Sequence, residues 1–130
     1  MQRINAARAQ ARSCGSTAYP AAGALAWHEQ LYAAAETHST DMAAHDHFSH
    51  TGTNGSTLAT RLTAAGYGFR TAGENIAFNY RSVADVMAGW LGSAGHCANI
   101  MDARFREVGV ACIRNSRGEP YWTMDLGARS

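Results

Sequence analysis

VGVACIRNSRGEPYWTMDL, residues 108–126, predicts two strands joined by a turn. Along 108–113 apolar and small side chains alternate, so both faces of the first strand are apolar. That pattern is typical of a central strand covered on both sides. The segment 115–120, NSRGEP, is rich in residues that favour turns. We therefore predict a C-terminal hairpin made of strands at 108–114 and 121–126.

Three helices are predicted upstream of this hairpin, because apolar residues recur there at three- and four-residue steps. Ser82 carries a helix-start signature ahead of the apolar stripe in 83–91. A long amphipathic helix is predicted from Leu25 to near Asp46. A shorter helix at 58–65 is expected to stop at the glycine that follows it.

A further strand is predicted at 76–80, between the short helix and the helix at 83–91. The elements thus follow one another as helices, a strand, a helix and a hairpin. This order favours an α+β fold in which helices flank an antiparallel sheet.

Length and charge exclude several classes of protein. With 130 residues, the chain is expected to form one domain over 1–130. Eleven basic residues against ten acidic ones give a net charge of +1, which is not the electrostatic footprint of a protein that binds nucleic acid or anionic membranes. No apolar stretch approaches the roughly 18 residues of a membrane span. Residues 1–3 lead into an amphipathic segment instead of a signal-peptide core, so any export signal is expected to lie outside this sequence.

Cysteine occurs three times, at Cys14, Cys97 and Cys112, without a C-x-x-C pair. The spacing therefore predicts neither a zinc knuckle nor a thioredoxin-type redox pair. One disulfide with one free thiol is expected in an oxidising compartment, and three reduced thiols are the cytosolic alternative. The residues alone leave the bridged pair open.

Histidine is abundant, with six in the chain, three of them in the hexapeptide HDHFSH at 45–50. Imidazole binds Zn²⁺ well, and a catalytic zinc site needs three protein ligands and an open position. The cluster therefore raises a metal hypothesis, although the zinc motif HExxH is absent. His45 and His47 are better explained as polar residues at the end of the long helix, where the helix dipole favours imidazolium.

Two further strings place ionisable side chains beside apolar ones. Glu74 in GENIA, 73–77, stands between a glycine and an apolar strand, where a buried carboxylate needs a partner such as histidine. His96 in GHCAN, 95–99, directly follows the helix at 83–91 and is predicted at a corner between two helices. Taken singly, each string is more often structural than functional.

Taken together, five strings resemble the CAP superfamily, which comprises cysteine-rich secretory proteins, insect venom antigen 5 and plant pathogenesis-related class-one proteins. They are FSHTG at 48–52, GENIA at 73–77, the run from GW at 89–90 to SAGHCANIM at 93–101, FREVGVAC at 105–112 and YWTMDLG at 121–127. The resemblance begins at the N-x-x-R element 5–8, covers nearly the whole chain and is closest to small bacterial members. It implies an α-β-α sandwich with a surface cavity lined by a His-Glu-Glu-His tetrad, which binds a divalent metal in several members.

Carried over residue by residue, the resemblance fills three of the four tetrad positions. His50 matches the first His, Glu74 the first Glu and His96 the second His, whereas Ser93 stands where eukaryotic members have the second Glu. This implies a modest affinity for Zn²⁺ or another divalent cation, held by His50 and His96 with water completing the shell. Glu74 is expected to orient both imidazoles, and the alternative is a buried polar network that only holds the fold.

The resemblance also bears on the cysteines and the biological setting. Relatives with fewer cysteines imply that Cys14 pairs with Cys97 and that Cys112 is the extra one. The implied protein is a secreted or periplasmic monomer, a binding module whose cleft takes a divalent metal or a small ligand such as a lipid, glycan or peptide.

The alternative function is a metal-assisted hydrolase, peptidase-like or esterase-like, that uses the same residues. Binding is favoured over hydrolysis, because no G-x-S-x-G elbow or other activated nucleophile accompanies a base. An intracellular enzyme with Cys97 as nucleophile and His96 as base is disfavoured, since adjacent side chains on a helix do not face each other.

Aromatic residues complete the predictions. Trp90 and Trp122 fall on apolar stripes and are predicted in the core, not on a carbohydrate platform. Four aromatic residues around GENIA are predicted to form the cleft walls, namely Tyr67, Phe69, Phe78 and Tyr80.

Overall fold

The computed structural model describes all 130 residues, with five helices and six strands connected by loops. They are α1 Gln2–Arg8, β1 Arg12–Cys14, β2 Thr17–Tyr19, β3 Ala26–Trp27, α2 Glu29–His45, α3 Leu58–Ala64, β4 Phe69–Phe78, α4 Val83–Leu91, α5 Ala94–Met101, β5 Glu107–Arg114 and β6 Pro120–Arg129. The main sheet has four strands in the order β3-β5-β6-β4, and β1 with β2 forms a separate ribbon. Helices α2 and α3 cover one face of the sheet, and α1, α4 and α5 cover the other. The predicted α+β sandwich is confirmed.

Alternation along β5 and β6 decides which face each side chain occupies. Even-numbered residues such as Val108 and Met124 join the large core against α1, α4 and α5. Odd-numbered residues face α2, where the Thr123 Oγ1 lies 2.7 Å from the Ser39 Oγ. Gly109 also faces α2, and a Cβ at this position would come within 2.2 Å of the Tyr32 backbone nitrogen. The long helix therefore rests directly on the sheet.

The central strand is β6, which pairs antiparallel with β4 on one side and with β5 on the other. Its residues 120–128 are all buried. The prediction that the strand at 108–114 is central and covered on both sides is wrong for its second half. Because β3 pairs only with Glu107 and Val108, β5 is an edge strand beyond them, and Cys112 is exposed.

The long helix α2 begins at Glu29 instead of Leu25. Residues 26–27 pair with β5 as the short strand β3, and His28 caps the helix by accepting a hydrogen bond of 3.2 Å from the Gln30 N–H. At the other end the helix stops where predicted, because Asp46 adopts the left-handed conformation with φ 48°.

Local signals correctly predicted the two shorter helices α3 and α4. Ser82 caps α4 through the Asp85 N–H at 3.1 Å, and a capping box of Thr57 and Thr60 begins α3. The strand predicted at 76–80 is β4 in the structure, which starts earlier, at Phe69, and ends earlier, at Phe78. Pairing with β6 extends it back through 71–75 despite the polar residues there, and Asn79, with φ 65°, ends it.

Two polar side chains of the N-x-x-R element fasten α1 to the rest of the protein. The Asn5 side chain hydrogen-bonds the N–H and the C=O of Leu25 at 2.8 and 3.1 Å. The buried Arg8 guanidinium donates to the carbonyl oxygens of Ile100 at 2.8 Å and Asp102 at 2.9 Å. This element therefore ties α1 to the end of α5.

A disulfide between Cys14 and Cys97 joins β1 to α5 across a sequence separation of 83. It confirms the expected single bridge and the pair implied by the family resemblance, and Cys112 is free.

Trp90 and Trp122 are buried, as predicted. Their indole N–H groups donate to the carbonyl oxygens of Ile76 at 3.0 Å and Tyr80 at 2.7 Å. No helix of the protein combines the length and the apolar character that crossing a membrane requires.

Candidate functional site

The three residues predicted for the site meet at the outer edge of β4. Because β4 is the last strand of the sheet, side chains from both helical layers can reach its free edge. Glu74 lies in β4, His50 in the loop between α2 and α3, and His96 in α5. The edge strand thus brings three separate segments side by side, and we call the region around His50, Glu74 and His96 the β4 cleft.

Glu74 is the buried centre of this cleft, with its side chain 3% exposed. Arg61 of α3, also buried, donates to its two carboxylate oxygens at 3.1 and 3.0 Å, and the His50 Nδ1 lies 2.9 Å from Oε1. Burial alone would raise the pKa of Glu74, but the hydrogen bond from His50 and the Arg61 charge outweigh it and lower that pKa. Glu74 is therefore a well-partnered carboxylate, a poor general base and an orienting group.

His50 is held by Glu74 and presented to solvent. Since the carboxylate accepts the hydrogen bond, Nδ1 carries a proton, and in the neutral ring Nε2 keeps its lone pair. The side chain is 58% exposed. A carboxylate behind a histidine in this way fixes the tautomer and ring orientation used for binding metals.

His96 lines a groove beside β4, near enough to His50 for the two rings to interact electrostatically, and its own ring has no hydrogen-bond partner. Burial, and then the nearby His50, lower its pKa below the ordinary value, so the ring is neutral at neutral pH. The prediction that Glu74 orients both imidazoles is wrong for His96. The Glu74 side-chain oxygens are engaged by Arg61 and His50 instead.

Two asparagines that the sequence analysis did not single out hold α5 against β4. Asn99 donates to the Glu74 carbonyl oxygen at 3.2 Å and to the Asn75 Oδ1 at 2.9 Å. Asn75 in turn donates to the His96 carbonyl oxygen at 3.1 Å. Both lie inside the strings GENIA and GHCAN, and they set the position of His96 relative to Glu74.

The loop that carries His50 is held in place by two further side chains. His38 of α2 is fully buried and donates from Nε2 to the Ser49 carbonyl oxygen at 2.7 Å, and burial lowers its pKa. Arg61 donates to the His50 carbonyl oxygen at 3.0 Å. The backbone beside His50 is thus bonded to both α2 and α3.

A second acidic residue, Asp125 of β6, lies behind Glu74 and was not predicted. The strand register places it directly opposite Glu74, and it is 0% exposed. The available signal was an acid within the otherwise apolar string YWTMDLG.

An open groove of about 380 Å³ runs along β4 and α4, lined by aromatic and apolar side chains together with Ser93 and His96. Among its aromatic side chains, Phe48 and Tyr80 are 53% and 38% exposed. Of the four predicted wall residues, Phe78 and Tyr80 line the groove. Tyr67 and Phe69 pack elsewhere, in the small core between α2 and α3.

His45 and His47 do not join the cleft. The His45 Nδ1 lies 2.9 Å from the Asp41 carbonyl oxygen, and the His47 Nε2 lies 2.8 Å from the Thr51 carbonyl oxygen. His45 is the last residue of α2, at the helix end where it was predicted. No three His, Cys, Asp or Glu side chains of the chain are arranged to hold a metal ion, so the cleft itself offers two imidazoles.

Comparison with known sequences identifies the family to which the chain is similar. The sequence model of the cysteine-rich secretory protein family, CAP, matches residues 1–126. Two Bacillus subtilis proteins are similar: the uncharacterized membrane protein YlbC, 34% identical over 102 residues, and the uncharacterized protein YkwD, 30% identical over 98 residues. These matches cover 78% and 75% of this chain but only 28% and 37% of the relatives, so the chain spans about a third of their length.

Solved structures give the same result. An extracellular protein with an SCP domain from Bacillus anthracis is 33% identical with a TM-score of 0.73, over 84% of this chain and 35% of that one. An outer surface protein of Borrelia burgdorferi has a TM-score of 0.77 over 84% of this chain and 80% of that one, and at 17% identity it shares the fold alone. Because the family match spans residues 1–126 and the sandwich is that of SCP domains, the chain belongs to the CAP family of cysteine-rich secretory proteins.

Proposed function

We propose that this chain is a secreted binding module that holds its ligand in the β4 cleft through His50 and His96. Secretion is supported by the Cys14–Cys97 disulfide, because such bonds persist mainly in oxidising compartments. It is also supported by the relative from Bacillus anthracis, which is an extracellular protein.

The observation that carries the proposal is the hydrogen bond from the His50 Nδ1 to Glu74. It leaves the Nε2 lone pair of an exposed ring free for a ligand, beside the neutral ring of His96. The exposed side chains of Phe48 and Tyr80 add apolar contact surface along the adjoining groove. Such a surface suits a ligand with both an electron-accepting group and an apolar part.

The donor set fits a weakly held divalent cation. His50 and His96 would hold the ion, because imidazole nitrogen is a good ligand for Zn²⁺. Glu74 is engaged by other side chains, and Ser93 stands where a second acid would be, so water or an acidic group of the ligand must complete the shell. Bound Zn²⁺ supplies a Lewis acid that can fix such a group in the cleft.

Calorimetric titration with zinc chloride at neutral pH tests this proposal. We expect weak one-to-one binding to the wild-type protein, loss of binding in the double variant His50→Ala/His96→Ala, and retained binding in the matched control His45→Ala/His47→Ala. Absence of binding to the wild type, or equal binding to the first double variant, would overturn the zinc site.

Peptide or ester hydrolysis is the alternative use of the same residues. No side-chain hydroxyl or thiol hydrogen-bonds to the ring of His50 or His96, so a water molecule would have to be the nucleophile. Zinc-loaded protein is therefore assayed on peptides and esters against the same double variant. Turnover that this variant lacks would favour a hydrolase, and turnover in neither protein would favour the binding module.

An apolar cavity on the other face of the sheet favours a lipid as a second type of ligand. The cavity has a volume of about 220 Å³ between α1, α4 and β5, and 12 of its 13 lining residues are hydrophobic. This composition suits an acyl chain better than a glycan or a peptide. Because Cys112 lines the cavity, saturating decanoate should slow its alkylation by iodoacetamide. The control is Ser116→Cys in a Cys112→Ala background, and equal slowing of both thiols, or of neither, would argue against the site.

A further inference from the structure

Two carboxyl groups lie face to face beneath the cleft. In the antiparallel register of β4 and β6, Asp125 is the direct partner of Glu74, and directly opposed side chains on one face of such a pair are close neighbours. Both point toward α2, since Thr123, two residues before Asp125, contacts Ser39. Both acids are buried, so water does not screen their interaction.

The surroundings of the two acids differ. Glu74 accepts hydrogen bonds from Arg61 and His50. Neither side-chain oxygen of Asp125 meets a hydrogen-bond donor, and its neighbour on the β5 side is Gly109, which has no side chain to offer. Arg61 is thus the one buried cation beside two acids.

His38, on α2, does not supply a second cation. It is fully buried, and burial lowers its pKa, so the ring is neutral at neutral pH. Its single N–H, on Nε2, is already given to the Ser49 carbonyl oxygen, and its Nδ1 has no partner. The charges of the buried groups on this face therefore balance when one of the two acids keeps its proton.

The proton belongs on Asp125. An ionised carboxylate with neither a cation nor a donor is far more costly to bury than a neutral acid. A carboxylate offers about four acceptor positions, and Arg61 and His50 fill three of those of Glu74. One acceptor position of Glu74 is left for an O–H from Asp125. Burial, followed by the hydrogen bond and charge of Glu74, raises the pKa of Asp125 well above its ordinary value.

We propose that Asp125 is a positioning residue of the cleft, a neutral carboxylic acid that donates its hydrogen to Glu74 and so fixes the carboxylate that orients His50. The second acid of this site therefore adds no negative charge to the cleft. The proposal deepens the function proposed for the cleft and rests on it for its use, but its test needs neither metal nor ligand.

Infrared spectroscopy of the metal-free protein at neutral pH tests the protonation state. The wild type should show the C=O stretch of a protonated carboxylic acid, shifted in D₂O, and Asp125→Asn should lose that band. The matched control Asp85→Asn, at an exposed acid of α4, should keep it. A band that persists in Asp125→Asn, or that is missing from the wild type, would overturn the proposal.

Nitrogen-15 NMR of His50 tests the positioning role separately. Asp125→Asn keeps an N–H donor toward Glu74 and should retain the wild-type Nδ1–H tautomer. Asp125→Leu has the same branched shape, although it is larger, and it has no donor, so it should give a mixture of tautomers. Identical His50 spectra in both variants would refute positioning. Should the Leu variant not fold, the smaller variant Asp125→Ala, which also lacks a donor, takes its place in the NMR comparison, and neither readout depends on whether zinc binds.

Discussion

Removal of the Cys14–Cys97 disulfide should lower the free energy of unfolding, chiefly because the unfolded chain gains conformational entropy. The bond spans a sequence separation of 83, most of the protein. In the chain-entropy model, stabilisation grows with the logarithm of loop length and reaches about 4.5 kcal/mol for a loop of this size at room temperature. We therefore expect the double variant Cys14→Ala/Cys97→Ala to lose about 4 kcal/mol, near the upper end of the range of about 2–5 kcal/mol seen when native disulfides are removed.

Urea unfolding followed by circular dichroism measures this loss, with Cys112→Ala as the control for removing an exposed thiol outside the bridge. The dependence of the free energy on urea should become steeper in the double variant, because an uncrosslinked unfolded chain exposes more surface. A loss below about 1 kcal/mol with an unchanged slope would refute the reasoning, since it would mean that the bond barely restricts the unfolded state.

Three other substitutions probe the site and the elements that support it. Arg61→Met should cost about 3–5 kcal/mol in urea unfolding, because it leaves the buried Glu74 carboxylate without its cation, and Glu74→Gln on top of it should restore part of the loss. Gly109→Ala should lower the free energy of unfolding by about 1–3 kcal/mol or more, because the added Cβ would clash with the Tyr32 backbone. Gly95→Ala, which meets open space in α5, should instead raise stability by about 0.4–1 kcal/mol in thermal unfolding.

Two of these predictions have a specific result that would contradict them. Equal losses for Arg61→Met with and without Glu74→Gln would mean that the two charges are not coupled. Wild-type stability of Gly109→Ala would mean that α2 can move off the sheet at no cost.

Helices whose ends are marked by neighbouring residues were predictable from the sequence. The Ser82 cap and the apolar stripe after it determine α4 without reference to the rest of the fold. The start of α2 was not predictable in this way, because the apolar residues 25–27 fit a helix locally. Two of them form β3 only because the β5 strand, some eighty residues later, is there to pair with them.

The same distinction holds for the site. His50, Glu74 and His96 stand in recognisable strings, and the structure brings them to one strand edge. Arg61 has no such mark, because it acquires its role only when α3 packs against Glu74. Asp125 stands in the string YWTMDLG, but its partner Glu74 becomes apparent only when β6 pairs with β4. A buried charge such as that of Arg61, which has one polar and one apolar sequence neighbour, cannot be told from a surface charge by those neighbours.

The close approach of α2 to the sheet at Gly109 affects how firmly the cleft walls are held. Because the α2 backbone rests directly on the sheet at Gly109, the loop that carries His50 is connected through His38 of α2 to the centre of the fold. The opposite wall, α5, is clamped by its disulfide and by Arg8. If the cleft binds a ligand as proposed, walls fastened in this way would keep its width nearly constant, and the exposed side chains of Phe48 and Tyr80 would be the ones to adjust to the ligand.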